Sequence, residues 1–332
     1  MSLHRGMQTE VQLDALGIFQ SGLKSALRLR SNSSAHLLRL SSIGPGLVGL
    51  WLLPWLAVGA CGAEPLKPSA ALPGRAVAPG VRLIGRIENP RITESSGVAA
   101  SRHYPDIFWT HNDGGGGRKQ VLCAMSREGN PKAEFIVGGL LLRDWEDIAI
   151  DDQRHLFIGD IGNNDAKRHQ LAVHQIDEPD PKSGGFVFVQ RSWQLRYPNQ
   201  PFDCESLFVW QTHGYLVSKV LKDERAEIYR FPLADPKEPF TLEWVARLRI
   251  DSPVTGADIS ADGRLLGLVA KSGAFAFRID GDVARAARLK PFRSRFRHEH
   301  IEGCCFVPEG LLATAESREV YLFVDEFFRP EK

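Results

Sequence analysis

Five segments of the chain repeat one pattern, in which an acidic residue precedes a short apolar run, a turn and a second apolar run. The acidic residues, which we call the anchors, lie 52, 59, 53 and 44 residues apart and are Glu94, Glu146, Glu205, Asp258 and Glu302. A repeat of about 40–50 residues built from short strands is typical of a four-stranded β-propeller blade. The spacing therefore predicts sheets arranged around one axis.

The rest of the region from residue 81 to residue 328 also favours strands. Short apolar or alternating runs, separated by Gly, Pro, Asp and Asn, occur at 106–110, 155–159, 214–219, 264–270 and 319–324. No long segment has the 3.6-residue period of an amphipathic helix. The sequence predicts an all-β fold, and a β-sandwich is the less favoured form because it would not explain one anchor per unit.

The number of blades follows from the length of this region. The 252 residues from Val81 onward would form five blades of about 50 residues each. The last repeat has only three clear strands, at 303–307, 310–315 and 319–324, whereas residues 81–88 form a strand without a blade. Pairing that strand into the last blade would close the ring and cover both sheet edges. We expect five blades; six remain possible because the interval of 59 contains extra strand-like sequence at 186–197.

The N-terminal part predicts export. Residues 43–61 form a long apolar run that follows several arginines and ends in Val58-Gly59-Ala60-Cys61. This arrangement is typical of a secretory signal, and its end resembles a bacterial lipobox, which implies lipidation of Cys61 and attachment to the periplasmic face of the cell envelope. An uncleaved membrane anchor and a cleaved signal without lipid are the alternatives.

The segments around this run are predicted to lie outside the folded domain. Residues 1–42 make the signal longer than usual, so we interpret them as an untranslated or disordered extension. Residues 62–80 are rich in Ala and Pro and are predicted to form an extended tether. The propeller is then expected at 81–328.

Charge and cysteine content exclude some functions. The chain has 41 basic and 40 acidic residues, and a net charge of +1 does not suit non-specific binding to nucleic acid. Four cysteines lie within the predicted propeller, without the spacing of a zinc site, at Cys123, Cys204, Cys304 and Cys305. Buried thiols and disulfides are both compatible with this pattern.

The anchors predict a cation site. If each inner strand carries an acidic residue at the same place, the carboxylates converge in the central channel, where they need a cation, protons or basic partners. Oxygen ligands of this kind suit Ca²⁺ or Mg²⁺. The predicted metal ligands are Glu94, Glu146, Asp203, Glu205, Asp258 and Glu302. The alternative is that each carboxylate accepts hydrogen bonds from its own turn.

Other polar side chains cluster where strands meet loops. One such cluster contains Asp144, Glu146 and Asp147. We expect residues of these clusters to bind a ligand, namely His111, Asn112, Asp113, Asp160, Asn163, Asn164, Lys219 and Lys271. The candidate catalytic residues are Glu146, Asp147 and Glu205. The chain has no GxSxG, HExxH or P-loop motif that would specify a reaction.

Seven motifs occur in order along residues 90–320: ESSGVAASR, WTHNDGG, DWEDIAI, IGDIGNN, DCESLFV, VTGADISADGR and IEG…TAES. Together they resemble a family of uncharacterised exported bacterial β-propellers in the TolB-like group. The resemblance implies a propeller whose polar site contains Asn112, Asp113, Glu146, Asp147, Asp160, Asn163, Asn164, Asp203 and Glu205. It implies no particular reaction. A weaker similarity, in the anchors only, links the chain to calcium-dependent propeller phytases.

These observations predict an exported, lipid-anchored β-propeller that binds a cation and a ligand or envelope partner at one face. The alternatives are a metal-dependent hydrolase, similar to a phosphoesterase or a lactonase, and a purely structural scaffold.

Overall fold

The computed structural model describes residues 72–114, 120–219 and 224–324. The predicted extension, the signal run with Cys61 and most of the predicted tether lie outside the described residues. Part of the glycine run that follows Asp113 also lies outside them.

The described strands form five sheets, and each sheet is one blade. Two strands precede the first repeat, β1 (Arg75–Ala78) and β2 (Val81–Arg86). Blade 1 contains β3 (Ser95–Ala100), β4 (Phe108–Asn112), β5 (Val121–Met125) and β6 (Pro131–Gly138). Blade 2 contains β7 (Trp145–Ile150), β8 (His155–Asp160), β9 (Gln170–Asp177) and, after the strand β10 (Gly185–Phe188), β11 (Arg191–Arg196).

The remaining blades follow the same order. Blade 3 contains β12 (Cys204–Trp210), β13 (His213–Ser218), β14 (Glu227–Pro232) and, after the short strand β15 (Phe240–Thr241), β16 (Glu243–Arg247). Blade 4 contains β17 (Val254–Ile259), β18 (Leu265–Ala270), β19 (Gly273–Arg278) and β20 (Phe292–Arg293). Blade 5 contains β21 (Ile301–Val307), β22 (Gly310–Ala315) and β23 (Glu319–Val324).

The first strand of each blade lies nearest the axis. The five inner strands, β3, β7, β12, β17 and β21, contact one another in a closed ring. They are buried along almost their whole length, which explains why they are rich in Gly, Ala, Ser and Val. Small side chains let neighbouring blades approach closely where the sheets converge, and at Gly303 an added Cβ would overlap the backbone of Ser96 and Gly97 in blade 1.

Strand β2 closes the ring. It pairs antiparallel with β23 and so supplies the fourth strand of blade 5, as the sequence predicted. Strand β1 then adds a fifth strand to the same sheet. The predicted tether extended to residue 80, so β1 shows that its last residues belong to the propeller.

The extra strand-like sequence at 186–197 does not form a sixth blade. Strand β11 is the fourth strand of blade 2, whereas β10 crosses back and pairs in parallel with β6 of blade 1. Strand β15 of the next repeat pairs in the same way with β11. A 3-10 turn at Val283–Ala287 contacts β16 at the corresponding edge of blade 3. These crossings cover outer edges that would otherwise expose unpaired backbone groups.

The cores lie between the blades. Across the described part of the chain, the buried apolar side chains form five clusters, one in each interface between neighbouring blades. The interface between blades 1 and 2 contains Trp109 and Trp145, and that between blades 2 and 3 contains Trp193 and Phe231. This ring of sheets held by inter-blade cores is a five-bladed β-propeller, and the predicted all-β class is confirmed.

Two further properties concern the described residues alone. Cys123, Cys204, Cys304 and Cys305 are buried free thiols, so no disulfide forms among them. In the stretches 72–114, 120–219 and 224–324, no helix has the length and apolar character needed to cross a membrane.

Candidate cation-binding site at one face of the propeller

All five inner strands begin at the same face of the propeller, which we call the acidic face. Each inner strand has an irregular register just after its first residue. This shared irregularity identifies equivalent positions in the five blades. The second residues of the inner strands are Ser96, Glu146, Glu205, Thr255 and Glu302. Three blades therefore present a carboxylate at this position and two present a hydroxyl group.

The prediction of five equivalent carboxylates is corrected at two anchors. Glu94 precedes β3 and is exposed, and Asp258 is the fifth residue of β17, near the opposite face. The equivalent hydroxyl groups join neighbouring blades instead: Ser96 Oγ donates to the Glu146 carbonyl oxygen at 2.5 Å, and Thr255 Oγ1 donates to that of Ile301 at 2.8 Å. The sequence repeat therefore aligned acidic residues that differ in strand position.

Three carboxylates at the acidic face converge closely. One oxygen each of Asp113, Asp144 and Glu146 lies within 4.8 Å of the others. Asp113 follows β4 of blade 1, whereas Asp144 and Glu146 lie at the start of β7 in blade 2. Backbone hydrogen bonds between Gly114 and Trp145, at 3.1 and 3.2 Å, hold the two blades together at this point. The inter-blade bridge thus places the three side chains together.

Gly162 leaves room for this cluster. It lies in the loop after β8, and an added Cβ would overlap Glu146 Oε1 and the Asp144 carboxylate. Its φ angle is outside the positive range, so a larger residue here would displace the two carboxylates without straining the backbone. The Arg168 guanidinium donates to the Gly162 carbonyl oxygen at 2.7 Å and fixes the loop.

Burial and the repulsion of neighbouring carboxylates oppose ionisation of Glu146 and Asp144. Glu146 is buried, and its burial, followed by the charges of Asp113 and Glu205, raises the pKa of Glu146 well above its ordinary value. Burial also raises the pKa of Asp144, although Arg168 opposes the rise. A bound cation would offset this repulsion and favour the ionised form of each side chain.

A second group of charges lies beside the cluster at the start of β12. Lys219 Nζ forms an ion pair with Glu205 Oε1 and lies 3.7 Å from Asp203 Oδ2. The other Glu205 oxygen, Oε2, and Asp203 Oδ2 are buried and accept no hydrogen bond from the described residues. Burial raises the pKa of Glu205 to about 7, and Lys219 limits the rise. This group retains oxygen atoms that can accept from a ligand or a hydrated ion.

Glu302 completes the row of inner-strand carboxylates. Burial, together with the charges of Glu205 and Glu316, raises the pKa of Glu302 to about 9, whereas Lys219 and Lys271 oppose the rise. Glu302 as a whole residue is 8% exposed. Glu302 therefore holds its proton at neutral pH unless a cation approaches.

Asp147, a candidate catalytic residue, is buried where blades 2 and 3 meet. It is fully buried, and its carboxylate accepts from the backbone N–H groups of Ile148 and Leu207, each at 2.8 Å. Burial raises the pKa of Asp147 well above its ordinary value. The hydrogen bond from Leu207 ties blade 2 to blade 3, so the Asp147 carboxylate joins the two blades.

Two predicted ligand-binding residues support β3 and β4 instead. His111 is fully buried, stacks on Trp145 with ring centroids 4.0 Å apart, and accepts from Gly97 N through Nε2 at 3.2 Å. Burial lowers the pKa of His111 to about 3, so the ring stays neutral. Asn112 Oδ1 accepts from the N–H groups of Thr93 and Glu94, and its Nδ2 donates to the Arg91 carbonyl oxygen.

Asp160 and Asn163 also position the loops of the site. Asp160 accepts from the backbone N–H groups of Arg143 and Asp144 at 3.1 and 2.9 Å, which holds Asp144 in place. Asn163 donates its backbone N–H to Asp203 Oδ1 at 2.8 Å. Asn164 is exposed in the same loop. Lys271 lies just after β18, where its charge acts on Glu302.

Four residues of the site and of the equivalent strand positions, Asp144, Gly162, Ser96 and Thr255, were not selected from the sequence. Asp144 lies in the acidic motif DWED, although the motif does not distinguish it as a ligand. No sequence pattern indicates the role of Gly162, because that role depends on the approach of Asp144 and Glu146 from the start of β7. Ser96 and Thr255 are recognisable only when the strand registers are known.

Comparison with known proteins gives little beyond the architecture. No known protein-family profile matches the chain, and no curated protein matches it. A solved structure described as the Dos1 propeller is similar over 67% of this chain, with 12% sequence identity and a TM-score of 0.36. The match spans about half of that protein, 53% of its chain. The assignment as a propeller depends on the five sheets of this chain.

Proposed function

We propose that this propeller binds a divalent cation, Ca²⁺ in preference to Mg²⁺, at its acidic face through Asp113, Asp144 and Glu146. The observation that carries the proposal is the convergence of these carboxylates within 4.8 Å around the space left by Gly162. The bound cation and the neighbouring Lys219 would then receive an anionic ligand or an envelope partner.

The donor set favours Ca²⁺. The three side chains offer carboxylate oxygens from two blades, and Ca²⁺ accepts six to eight oxygen ligands in irregular geometry. Mg²⁺ requires near-octahedral geometry and retains its waters. Lys219 offsets the charge of the cluster only in part, because it is already paired with Glu205 and lies close to Asp203. Glu205 Oε2, a buried oxygen that accepts no hydrogen bond from the described residues, provides a further acceptor beside the ion.

Calorimetric titration of the chelator-treated full chain with CaCl₂, and separately with MgCl₂, tests this proposal. We expect saturable Ca²⁺ binding that is weakened about tenfold or more, equivalent to about 1.4 kcal/mol, in Asp144→Asn and in Glu146→Gln. Asp165→Asn is a matched control because Asp165 is exposed in a neighbouring loop and pairs with Lys167. Absence of Ca²⁺ binding, or equal binding by all variants, would contradict the proposal.

A metal-dependent hydrolase is the second candidate. It is favoured by one observation: Glu205, with its pKa raised to about 7 by burial, lies near the cation cluster and has an unpaired oxygen. A group with this pKa can act as a general base towards water at neutral pH. Turnover of phosphate esters or lactones that requires Ca²⁺ and is lost in Glu205→Gln would support the enzyme, and no turnover with Ca²⁺ binding retained would support a binding module.

We also propose that the protein is exported and lipid-anchored through Cys61, and that it is related to the TolB-like propellers. These proposals rest on the sequence of residues 43–61 and on the ordered motifs. Intact-mass analysis of the membrane-associated protein would contradict the anchor if Cys61 were unmodified.

A further inference from the structure

A second cavity lies at the opposite end of the axis, where the inner strands end. Its volume is about 340 Å³, and its walls come from blades 1, 2, 4 and 5. The lining is mostly apolar and includes Ile107, Phe108, Ile150, Ile259 and Phe306. A volume at the small end of the ligand-pocket range, with apolar walls and few polar groups, is typical of a site for a small organic molecule.

This cavity is separate from the cation site. Its lining includes none of the cation-site residues Asp113, Asp144 and Glu146. A molecule in the cavity would therefore contact a different set of residues from those of the acidic face.

Asp258 places a negative charge on the wall of the cavity. This carboxylate lines the cavity, and its Oδ2 accepts from the Phe306 N–H at 2.8 Å. Within the described ranges it forms no ion pair with a basic side chain, since the ion pairs found there involve other carboxylates. Burial raises the pKa of Asp258 to about 6, whereas the Phe306 N–H and the charge of Arg102 lower it. The carboxylate is therefore charged at neutral pH.

The two arginines that line the cavity already form ion pairs with other acidic residues. Arg102 pairs with Asp152 at 2.5 Å, and Arg127 pairs with Glu309 at 2.7 Å. Because both guanidinium groups have acidic partners, the uncompensated charge of the cavity is negative. Two carboxylates line the cavity, Asp258 of β17 and the exposed Asp106, and this negative charge disfavours an anion.

We infer that this cavity binds a small organic cation, a primary amine with an apolar body, whose ammonium group pairs with Asp258. The apolar body would occupy the space between Phe108, Ile150 and Ile259, where it removes apolar surface from water. The ammonium group would supply the counter-charge that the described residues do not place beside Asp258.

Calorimetric titration of the full chain at pH 7.5 with phenethylamine, and with the neutral analogue 2-phenylethanol, tests this inference. We expect saturable binding of the amine and at least about tenfold weaker binding of the alcohol. Asp258→Asn retains an oxygen that can accept from Phe306 N–H but removes the charge, and it should weaken amine binding to a similar extent.

Two further variants complete the test: one blocks the cavity and the other is a control. Ala261 is exposed and lines the cavity, so Ala261→Trp should block amine binding without disturbing the core. Asp235→Asn makes the same chemical change at an exposed loop of blade 3 and should bind the amine normally. Ca²⁺ binding at the acidic face should be unchanged in all three variants, which separates failure of this inference from failure of the cation site. Equal binding of amine and alcohol, or unchanged binding in Asp258→Asn and Ala261→Trp, would overturn the inference.

Discussion

Glutamine at position 302 is expected to stabilise the metal-free protein at pH 8, with the free energy of unfolding of Glu302→Gln about 2–4 kcal/mol above that of the wild type. Burial beside Glu205 and Glu316 raises the pKa of Glu302 from 4.5 to about 9. One unit of pKa shift corresponds to about 1.4 kcal/mol. The expected gain is less than the full shift because glutamine is also a buried polar group.

The sign of the pH dependence follows from proton binding. Between pH 4.5 and about 9 the folded protein retains a proton on Glu302 that the unfolded chain releases. The contribution of Glu302 to stability is therefore fully present below pH 4.5 and is lost as the pH rises through about 9. Glutamine does not titrate, so the difference between variant and wild type should grow with pH.

Urea unfolding at several pH values between 4.5 and 9 in the presence of chelator measures this difference. Glu238→Gln is a suitable control because Glu238 is exposed in a loop of blade 3 and should give no pH-dependent gain. A variant that is equally stable or less stable than the wild type at pH 8 would show that Glu302 is not held in its protonated form.

Alanine at position 162 is expected to abolish most cation binding. The added Cβ would occupy the space in which Glu146 Oε1 and the Asp144 carboxylate approach each other. Because position 162 has no left-handed backbone to strain, Gly162→Ala should displace these ligands without breaking the fold. We expect Ca²⁺ affinity to fall at least about tenfold, equivalent to about 1.4 kcal/mol.

Calorimetric titration with CaCl₂, together with circular dichroism to verify the sheet content, checks this result. Asn164→Ala is the matched control, because Asn164 is exposed two positions further along the same loop and should leave Ca²⁺ affinity unchanged. Wild-type affinity in Gly162→Ala would mean that the cation, if bound, does not use Asp144 and Glu146 together. Equal losses in both variants would point to a general effect of the loop.

The architecture was predictable because strand signals and repeats are local properties of the chain. The runs that became β8, β13, β18 and β23 are short, apolar and bounded by turn residues. The closing role of β2 followed from one unpaired strand at the start and one missing strand at the end. The crossing of β10 to blade 1 was not predictable, because its partner edge belongs to the preceding repeat.

The site was predictable only in part. The anchors Glu146, Glu205 and Glu302 share one position on the inner strands, whereas Glu94 and Asp258 do not. A shift of a few residues along a strand moves a side chain from one face of the propeller towards the other. The repeat pattern in the sequence does not distinguish acidic residues that differ by such a shift. The roles of Asn112, Asp160 and Asn163 were also not predictable from the sequence, because a polar residue at a strand end can either bind a ligand or hold a loop.

The sequence by itself determined the all-β class, the repeating blade and the closure of the ring, because each depends on periodicity and turn residues along the chain. Only the tertiary structure decided which carboxylates meet, that Gly162 gives them room, and that a separate cavity lies beside Asp258. These features depend on the strand register at the axis, where side chains from different blades come within a few ångströms and each residue acquires its charge state from its neighbours.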